Sequence, residues 1–597
     1  MTGIYGLATA KTYLEVHPTA NVLIITEDSS IGGVWAEHRL YPGLKTNNML
    51  GTYEFSDFPM DHKAYGVQEG QHLRGTVMHR YLTDYADHFN LSKKIRFDTT
   101  IETAEHKEKG GWTLKTTKGD TIATQRLVMA TGMTSTPFLP TFAGQDTFSA
   151  PLFHMKDFLS HSDTLESAKN VVVCGGAKSA WDAVYAYASK GIHVDWVIRE
   201  TGHGPVWMAP PYVTPLKKWL EKLVTTRLLT WFSPCIWGTN DGYSGIRNFY
   251  HRTAIGRFIT NTFWGILGGD VITLNKYDSH PETKKLKPWI PAFWVASGLS
   301  ILNYETDFFA LVREGKVHVH IADITFLSPN TVHISTGEAL HADALAVASG
   351  WKSRPPLKFL PAGIEAELGI PHVVSSESER AHIAELNKRA DEEIFARFPR
   401  LKDQPVANKK LTPITETSGV VESKTEKLEE LEPYRLWKLM VPPKFVESRD
   451  IAFAGALMSI QTTMVAQTQG LWIADFLGGP SKIADPLRAL SPEQLEYETH
   501  LVARFGKWRY PGGYGARFPD FVFDGIPYID GLLRDLGLKC HRKASGFKEA
   551  TEPYGVDDYR GLVSEYLQAR EKGALAGEEE DVETVVVSNG DAKGYDL

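Results

Sequence analysis

The chain has 597 residues, 42% of them hydrophobic and 23% charged, with a formal net charge of −8. That length supports two or more domains with their own cores, the composition is that of a globular protein, and so mild an acidity gives no footing for nucleic acid as a partner. Three cysteines (Cys174, Cys235, Cys540), with no CxxC pair, argue against a disulfide framework and a dithiol reductase, and fit a reducing, cytoplasmic setting.

In chain order, Gly3-Ile4-Tyr5-Gly6 opens an apolar helix predicted over Leu7–Leu14, and the β-rich run Asn21–Ile25 predicts a buried strand. Glu27 follows, 21 positions after Gly6. Glycine turn, helix, strand and acid form the back half of a dinucleotide-binding fingerprint, in which glycines let the backbone approach a pyrophosphate at a helix N-terminus. A complete fingerprint has a buried strand before its first glycine; here Met1 stands at that glycine's place, so a sheet without its first strand and an N-terminally shortened chain are expected. No secretory signal is expected, because the N-terminus enters the turn at once. Then come Gly32-Gly33-Val34-Trp35, Thr46-Asn47-Asn48 and Phe55-Ser56-Asp57-Phe58-Pro59.

Taken together, GGVW, TNN and FSDFP resemble the flavin-containing monooxygenases, the dimethylaniline-monooxygenase-like enzymes that use FAD and NADPH. The pattern T-N-(seven residues)-F-S-D-F-P is met without a gap by Thr46, Asn47 and Phe55 to Pro59. The resemblance implies an FAD site at Gly3, Gly6, Glu27, Gly32, Gly33, Trp35, Thr46 and Asn48. It also implies that Asn47 is the catalytic asparagine, an amide offering both donor and acceptor.

Downstream, the spacing of Tyr81, Leu82, Tyr85 and Phe89 predicts a helix over 77–89, and alternating strands run from Ile95 to Met129 with a hairpin turn at Gly110-Gly111. The last strand ends in Ala130-Thr131-Gly132, a return strand whose Thr131 and Gly132 join the cofactor set. In the family signature F-x-G-x-x-x-H-x-x-x-Y this chain keeps Phe148 and His154 but has Ala150 and Phe158; His154 is read as ordering the domain junction. Val171–Val173 then leads into Gly175-Gly176-Ala177-Lys178-Ser179, a relaxed second fingerprint, and the next strand ends in Arg199. An arginine there suits a ribose 2′-phosphate, with Lys178 a further phosphate candidate, so the order reads FAD first and NADPH second.

A tryptophan- and proline-rich insertion spans about 202–300, read as shaping substrate access or as extra core. The apolar run Leu228–Gly238 is too short to cross a bilayer and is expected in the core, at a tunnel mouth or against a membrane surface. Strands resume at 317–321 and 331–334 and close on Ala348-Ser349-Gly350-Trp351; residues 403–432 read as a mobile linker. A strand at 451–455 precedes a long helix through Phe476, with Gln461 at its start facing the flavin, and 572–597 reads as an acidic disordered tail.

The fold expected is α/β, with two dinucleotide-binding, Rossmann-like domains of the two-domain flavoprotein type. The first part of an FAD domain spans 1–155, an NADPH domain 156–345, the returning FAD part 346–480 and a mixed segment 481–571. The resemblance implies an NADPH-dependent monooxygenase that inserts one oxygen atom from O2 into a small organic substrate through a flavin C4a-hydroperoxide, plausibly in secondary-metabolite biosynthesis. The alternatives are a degraded non-catalytic relative and an uncoupled NADPH oxidase. No metal-ligand cluster and no transmembrane segment is visible, membrane-surface contact stays open, and the type of oxygenation and the oligomeric state are not written in the sequence.

Overall fold

The computed structural model describes residues 2–213, 217–296, 298–405, 408–417, 419–421, 431–478, 487, 490–571 and the backbone of 585–587. Helix α1 (Ile4–Val16) is longer than its apolar run suggests, because Ala, Leu and Lys favour the helix and no proline interrupts it. It buries Ile4, Leu7, Ala8 and Val16. Strand β1 is only Ile24–Ile25, paired in parallel with β3 (Ile95–Arg96). The expected strand at 21–25 is thus shortened, since Asn21–Leu23 do not enter the ladder. Between them, β2 (Lys45–Met49) pairs antiparallel with 72–74, and α2 (Gly75–His88) turns Met78, Tyr81, Leu82 and Tyr85 inward at the spacing read from the sequence.

An antiparallel meander follows: β4 (Ile101–His106), β5 (Trp112–Thr116) and β6 (Thr121–Thr124). Its first turn uses Gly110 and Gly111, both at φ near +84°, a backbone that side-chain-bearing residues rarely adopt. β7 (Leu127–Met129) leaves the meander to pair in parallel with Ile451–Phe453. The sheet of the first domain is therefore split into two parallel pairs, β1–β3 and β7 with 451–453. A cavity of about 240 Å³ lies between them, lined by Gly6, Thr9 and Ala10 of α1, by residues 20–27 and by 126–131.

The second domain is one five-stranded sheet of parallel neighbours. It is built from β8 (Leu152–His154), β9 (Asn170–Cys174), β10 (His193–Ile198), β11 (Val317–Ile321) and β15 (Ala344–Val347), in the order β11-β10-β9-β15-β8. Helix α3 (Lys178–Ser189) crosses between β9 and β10. A small antiparallel sheet of β12 (Ile324–Ser328), β13 (Thr331–Ile334) and β14 (Ala339–His341) packs on the face opposite α3. Val171–Val173 and Val194 are wholly buried, as expected for strands covered on both faces. This sheet begins at Leu152, a few residues ahead of the expected boundary at 156.

The insertion is helical, with α4 (Ser244–Arg252) and α5 (Ala254–Leu274), and its tryptophans pack inward: Trp207, Trp231, Trp264 and Trp294 are all buried. Leu228–Gly238 goes with them: Trp231, Cys235 and Ile236 are buried, and Leu228, Leu229, Phe232 and Trp237 are partly so. Helix α6 (Thr462–Leu477) is buried from Thr463 to Leu477 and packs along α1, while α7 (Pro492–Arg509) and α8 (Gly525–Asp535) wrap the same core. Buried Arg227 of the insertion pairs with Asp530 of α8 and with Glu549, tying the insertion to the C-terminal segment. Of the expected linker, Asn408 donates from Nδ2 to the carbonyls of Glu200 and Gly202, so this part lies against the second domain. Residues 422–430 and, of the expected tail at 572–597, all but Val585–Val587 fall outside the described residues; Val585–Val587 pairs antiparallel with β6. Among the described residues, no helix is long and apolar enough to cross a membrane.

Candidate dinucleotide and active site

At the start of α1 the glycines meet one another. Gly32 donates its N–H to the Thr2 carbonyl at 3.0 Å, and a Cβ on Gly33, at φ +61°, would lie 3.0 Å from the Gly3 Cα. The result is a cradle of bare backbone at a helix N-terminus, suited to a pyrophosphate. Gly6, Glu27 and Thr131 line the adjoining cavity; Glu27 is exposed, Trp35 is buried edge-on to Tyr53, and Gly132 turns at φ +68°. The hydroxyls of Thr2, just before α1, of Tyr5 and Thr9 on α1 and of Thr463 in the first turn of α6 are buried without a hydrogen-bond partner among the described residues. Orphaned polar groups of that kind cost stability unless something meets them. Bare backbone and unmet hydroxyls fit a dinucleotide.

Thr46, Asn47 and Asn48 lie on β2, whose alternation separates their roles. Thr46 is buried, its Oγ1 accepting from Leu73 N at 3.0 Å. Asn48 donates from Nδ2 to the Ile460 carbonyl at 3.1 Å, which sets the strand beside the start of α6. Asn47 between them is half-buried, and among the described residues its amide makes no hydrogen bond. Gln461, placed at the flavin from sequence, instead turns its amide inward. It is buried, donates to the Val522 carbonyl at 2.8 Å, and accepts from Ser459.

The second cradle repeats the first. Gly175, at φ +128°, would place a Cβ 2.6 Å from the Ala348 carbonyl oxygen, and one on Gly176 would lie 2.5 Å from that of Gly204. Ser179 is half-buried in the first turn of α3. Gly350, at φ +93°, offers its carbonyl to Phe138 N and to His154 Nε2, both at 3.0 Å. His154 also accepts from Lys156 N, and burial pushes its pKa down, so it orders the junction as a neutral ring. Lys178 is held by Asp182 and sits 4.8 Å from the Tyr304 ring, so it is engaged within the protein rather than presented to a phosphate. Arg199 stands where the fingerprint puts it. Its Nη2 donates to Thr201 and to the Thr412 carbonyl, and its Nε lies 3.5 Å from Asp323, leaving Nη1 without an acceptor among the described residues.

Two acids that the sequence reading passed over hold this arrangement together. Asp182 accepts from Tyr41 OH at 2.9 Å and Tyr304 OH at 3.0 Å, joining the first-domain loop to α3. Only its place four residues after Lys178 hinted at a paired role. Glu221, from the insertion, accepts at Oε2 from Met49 N (3.1 Å), Thr52 Oγ1 (3.1 Å) and Trp219 Nε1 (2.7 Å). It thereby fixes the end of the strand that carries Asn47. No spacing in the sequence marks it.

Two glycine cradles in tandem, the first followed by an asparagine strand, define a two-dinucleotide flavoprotein. Comparison with known proteins narrows the class. A family model described as pyridine nucleotide-disulphide oxidoreductase matches residues 5–229. Because the three cysteines are unpaired, that match concerns the nucleotide fold and not dithiol chemistry. The chain is 32% identical over 593 residues to FAD-dependent monooxygenase rstn6 of Aspergillus nomiae, covering 95% of this chain and 97% of that protein. It is 33% identical over 589 residues to FAD-dependent monooxygenase resA of Aspergillus sclerotiorum, covering 95% and 96%. The chain belongs to the FAD-dependent monooxygenases. Its fold is shared with cyclohexanone monooxygenase from Rhodococcus sp. Phi1 bound to NADP+ (TM-score 0.54, 14% identity, 97% and 98% of the two chains). It is also shared with a steroid monooxygenase bound to NADP (TM-score 0.53, 14% identity, 96% and 98%).

Burial drives the Glu221 carboxyl up from 4.5 to about 7 against the three hydrogen bonds that lower it. The folded state therefore holds this proton more tightly than the unfolded chain does, and the stability it brings is present below pH 4.5 and lost as pH rises to 7. Glu221→Gln, which keeps an oxygen acceptor, should remove that dependence. Relative to wild type it should gain up to about 3 kcal/mol between pH 5 and pH 8. Urea unfolding of both proteins at the two pH values measures this, and an unchanged difference between them would rule it out.

Proposed function

We propose that this monooxygenase uses NADPH as its reductant and adds one oxygen atom of O2 to a small organic substrate, with Asn47 as the residue nearest the chemistry. The observation that carries the reading is the half-buried Asn47 amide, unpartnered among the described residues, on a strand whose next residue, Asn48, is bonded to the start of α6. FAD, reduced by NADPH, supplies the activation of O2. The chain's share is to seat one dinucleotide on Gly3, Gly32 and Gly33, another on Gly175 and Gly176, and to keep water from the space between them. Asn47, held rigid by β2, offers a donor and an acceptor to whatever oxygen is bound there. Fungal relatives point to a substrate from small-molecule biosynthesis, and the unpaired cysteines fit work in a reducing, cytoplasmic compartment.

A lipid surface is a further part of this reading, and the exposed apolar face of α4 and α5 is what supports it. Ile246, Phe249, Ile255, Phe258, Ile259, Ile266 and Leu274 are exposed there, with Arg252 and Lys276 exposed near the two ends of α5. Such a face suits a helix lying in an anionic headgroup layer. The full chain should co-float with vesicles containing phosphatidylserine, and Phe258→Glu should stay behind; equal flotation of both, or of neither, removes the membrane from the reading.

The Asn47→Asp variant is expected to retain FAD but to lose oxygenated product and release peroxide for most of the NADPH it consumes. Product and peroxide yields per NADPH measure this, and normal coupling would end the assignment. For Arg199, Nη1 is the group left to meet a 2′-phosphate, and losing a charged hydrogen bond of that kind costs about 1.5–3 kcal/mol. Arg199→Ala should therefore lower the preference for NADPH over NADH by about ten- to a hundredfold. An unchanged ratio of the two kcat/KM values would move phosphate recognition elsewhere.

A further inference from the structure

On the second sheet, well away from either cradle, four side chains converge. His193 and Asp195 are alternate residues of β10, and His318 and His320 alternate residues of β11; Asp195 stands directly opposite His318 in the parallel register. The two-residue period sends all four to one face. Ligand atoms of His193, Asp195 and His318 lie within 4.8 Å of one another. The His193 and His318 rings stand perpendicular, with centroids 4.8 Å apart. Asp195 is only 9% exposed, and its two oxygens have separate duties. Oδ1 is held by His320 Nε2 at 2.8 Å, while Oδ2 faces His193 Nε2 at 3.5 Å, too far for a good hydrogen bond. The other ring nitrogen of His320 faces Glu338 at 3.6 Å.

We propose that His193, Asp195 and His318 form a zinc site, with His320 orienting the carboxylate from behind and solvent completing the coordination. Two imidazoles and one carboxylate are a borderline donor set, which suits Zn2+ better than the hard cations that take oxygen alone. An oriented ligand with its own hydrogen-bonded support, here Asp195 backed by His320, is what metal sites need. Without an ion, Asp195 Oδ2 has only the His193 ring at 3.5 Å, and a divalent ion between the two would meet it fully. The site sits towards the N-terminal ends of the strands, whereas Gly175 and Arg199 follow their C-terminal ends, about 13 Å from Asp195 and about 20 Å from His193 along the strand. It therefore does not reach the reacting groups. Its effect is to pin β11, the edge strand that resumes the sheet after the insertion, onto β10. The sequence concealed this because His318 lies more than a hundred positions from His193 and Asp195.

The test uses the full chain, freed of metal by a chelator and titrated with Zn2+ alone. One equivalent should bind by calorimetry, and excess Zn2+ should raise the thermal transition by a few degrees. His318→Ala, at an exposed position, and Asp195→Asn should both lose the binding and the shift. His341→Ala, an exposed histidine paired with Asp343 outside the cluster, should keep both. Absence of saturable binding, or binding that survives His318→Ala, overturns the proposal.

Discussion

The packing of α1 against α6 sets the geometry of everything around the first site. The two helices approach closely enough that a Cβ on Gly470 would lie 3.2 Å from both the Ala8 carbonyl oxygen and the Thr9 Cα, so a side chain there would force them apart. The N-terminus of α1 carries the cradle of Gly3, Gly32 and Gly33. The start of α6 carries Ile460, whose carbonyl holds Asn48. The separation of these helices is therefore the separation of the cradle from Asn47. Lys11 of α1 is buried and charge-paired with Glu15 and Asp57, and Gln467 of α6 donates to Asp57 while accepting from Ser56 N. A lysine in that position is tolerable only because it is paired. Its partner Asp57 belongs to FSDFP, so the motif that marks the family in sequence is the clasp that locks both helices.

What could be read beforehand were features written in local spacing. The turns at Gly32-Gly33 and Gly175-Gly176 were marked by glycine itself, and 317–321 and 331–334 by alternation. The buried face of α2 was marked by Tyr81, Leu82 and Tyr85. In the structure Tyr81 does more than pack: its hydroxyl accepts from Phe55 N and donates to the Phe58 carbonyl, bracing FSDFP from the far side. The sequence also placed Arg199 at a strand end, but could not show that Asp323, more than a hundred positions on, sits beside its Nε. Lys178 and Gln461 show the same limit. Position relative to a motif was legible, while the direction in which a long polar side chain turns depends on acceptors brought from elsewhere.

The insertion is the part whose meaning changes most. Its tryptophans read as either a substrate entrance or additional core, and Trp207, Trp231, Trp264 and Trp294 are core. Yet the segment also reaches the site through polar contacts. Glu221 holds Met49 and Thr52, and just beyond the insertion Asn303 donates from Nδ2 to the carbonyls of Lys45 and Thr46 at 3.3 and 3.0 Å. Both ends of β2 are thus held by residues that enter from the insertion and the stretch just after it. Asp182 adds the third tie, taking hydroxyls from Tyr41 and Tyr304.

These ties have a consequence for how the two domains can move. A strand whose ends are gripped by Glu221 and Asn303 cannot shift relative to the second domain without breaking buried hydrogen bonds, each leaving a polar group unmet in a dry interior. Asn47 lies midway along that strand and is spared such a bond itself. Rigidity is therefore concentrated in its neighbours, and hydrogen-bonding capacity is left in Asn47. That is the division expected where a side chain must already point at an oxygen before it arrives, since a donor that had first to break an internal bond would give up in reorganisation what it contributes in binding.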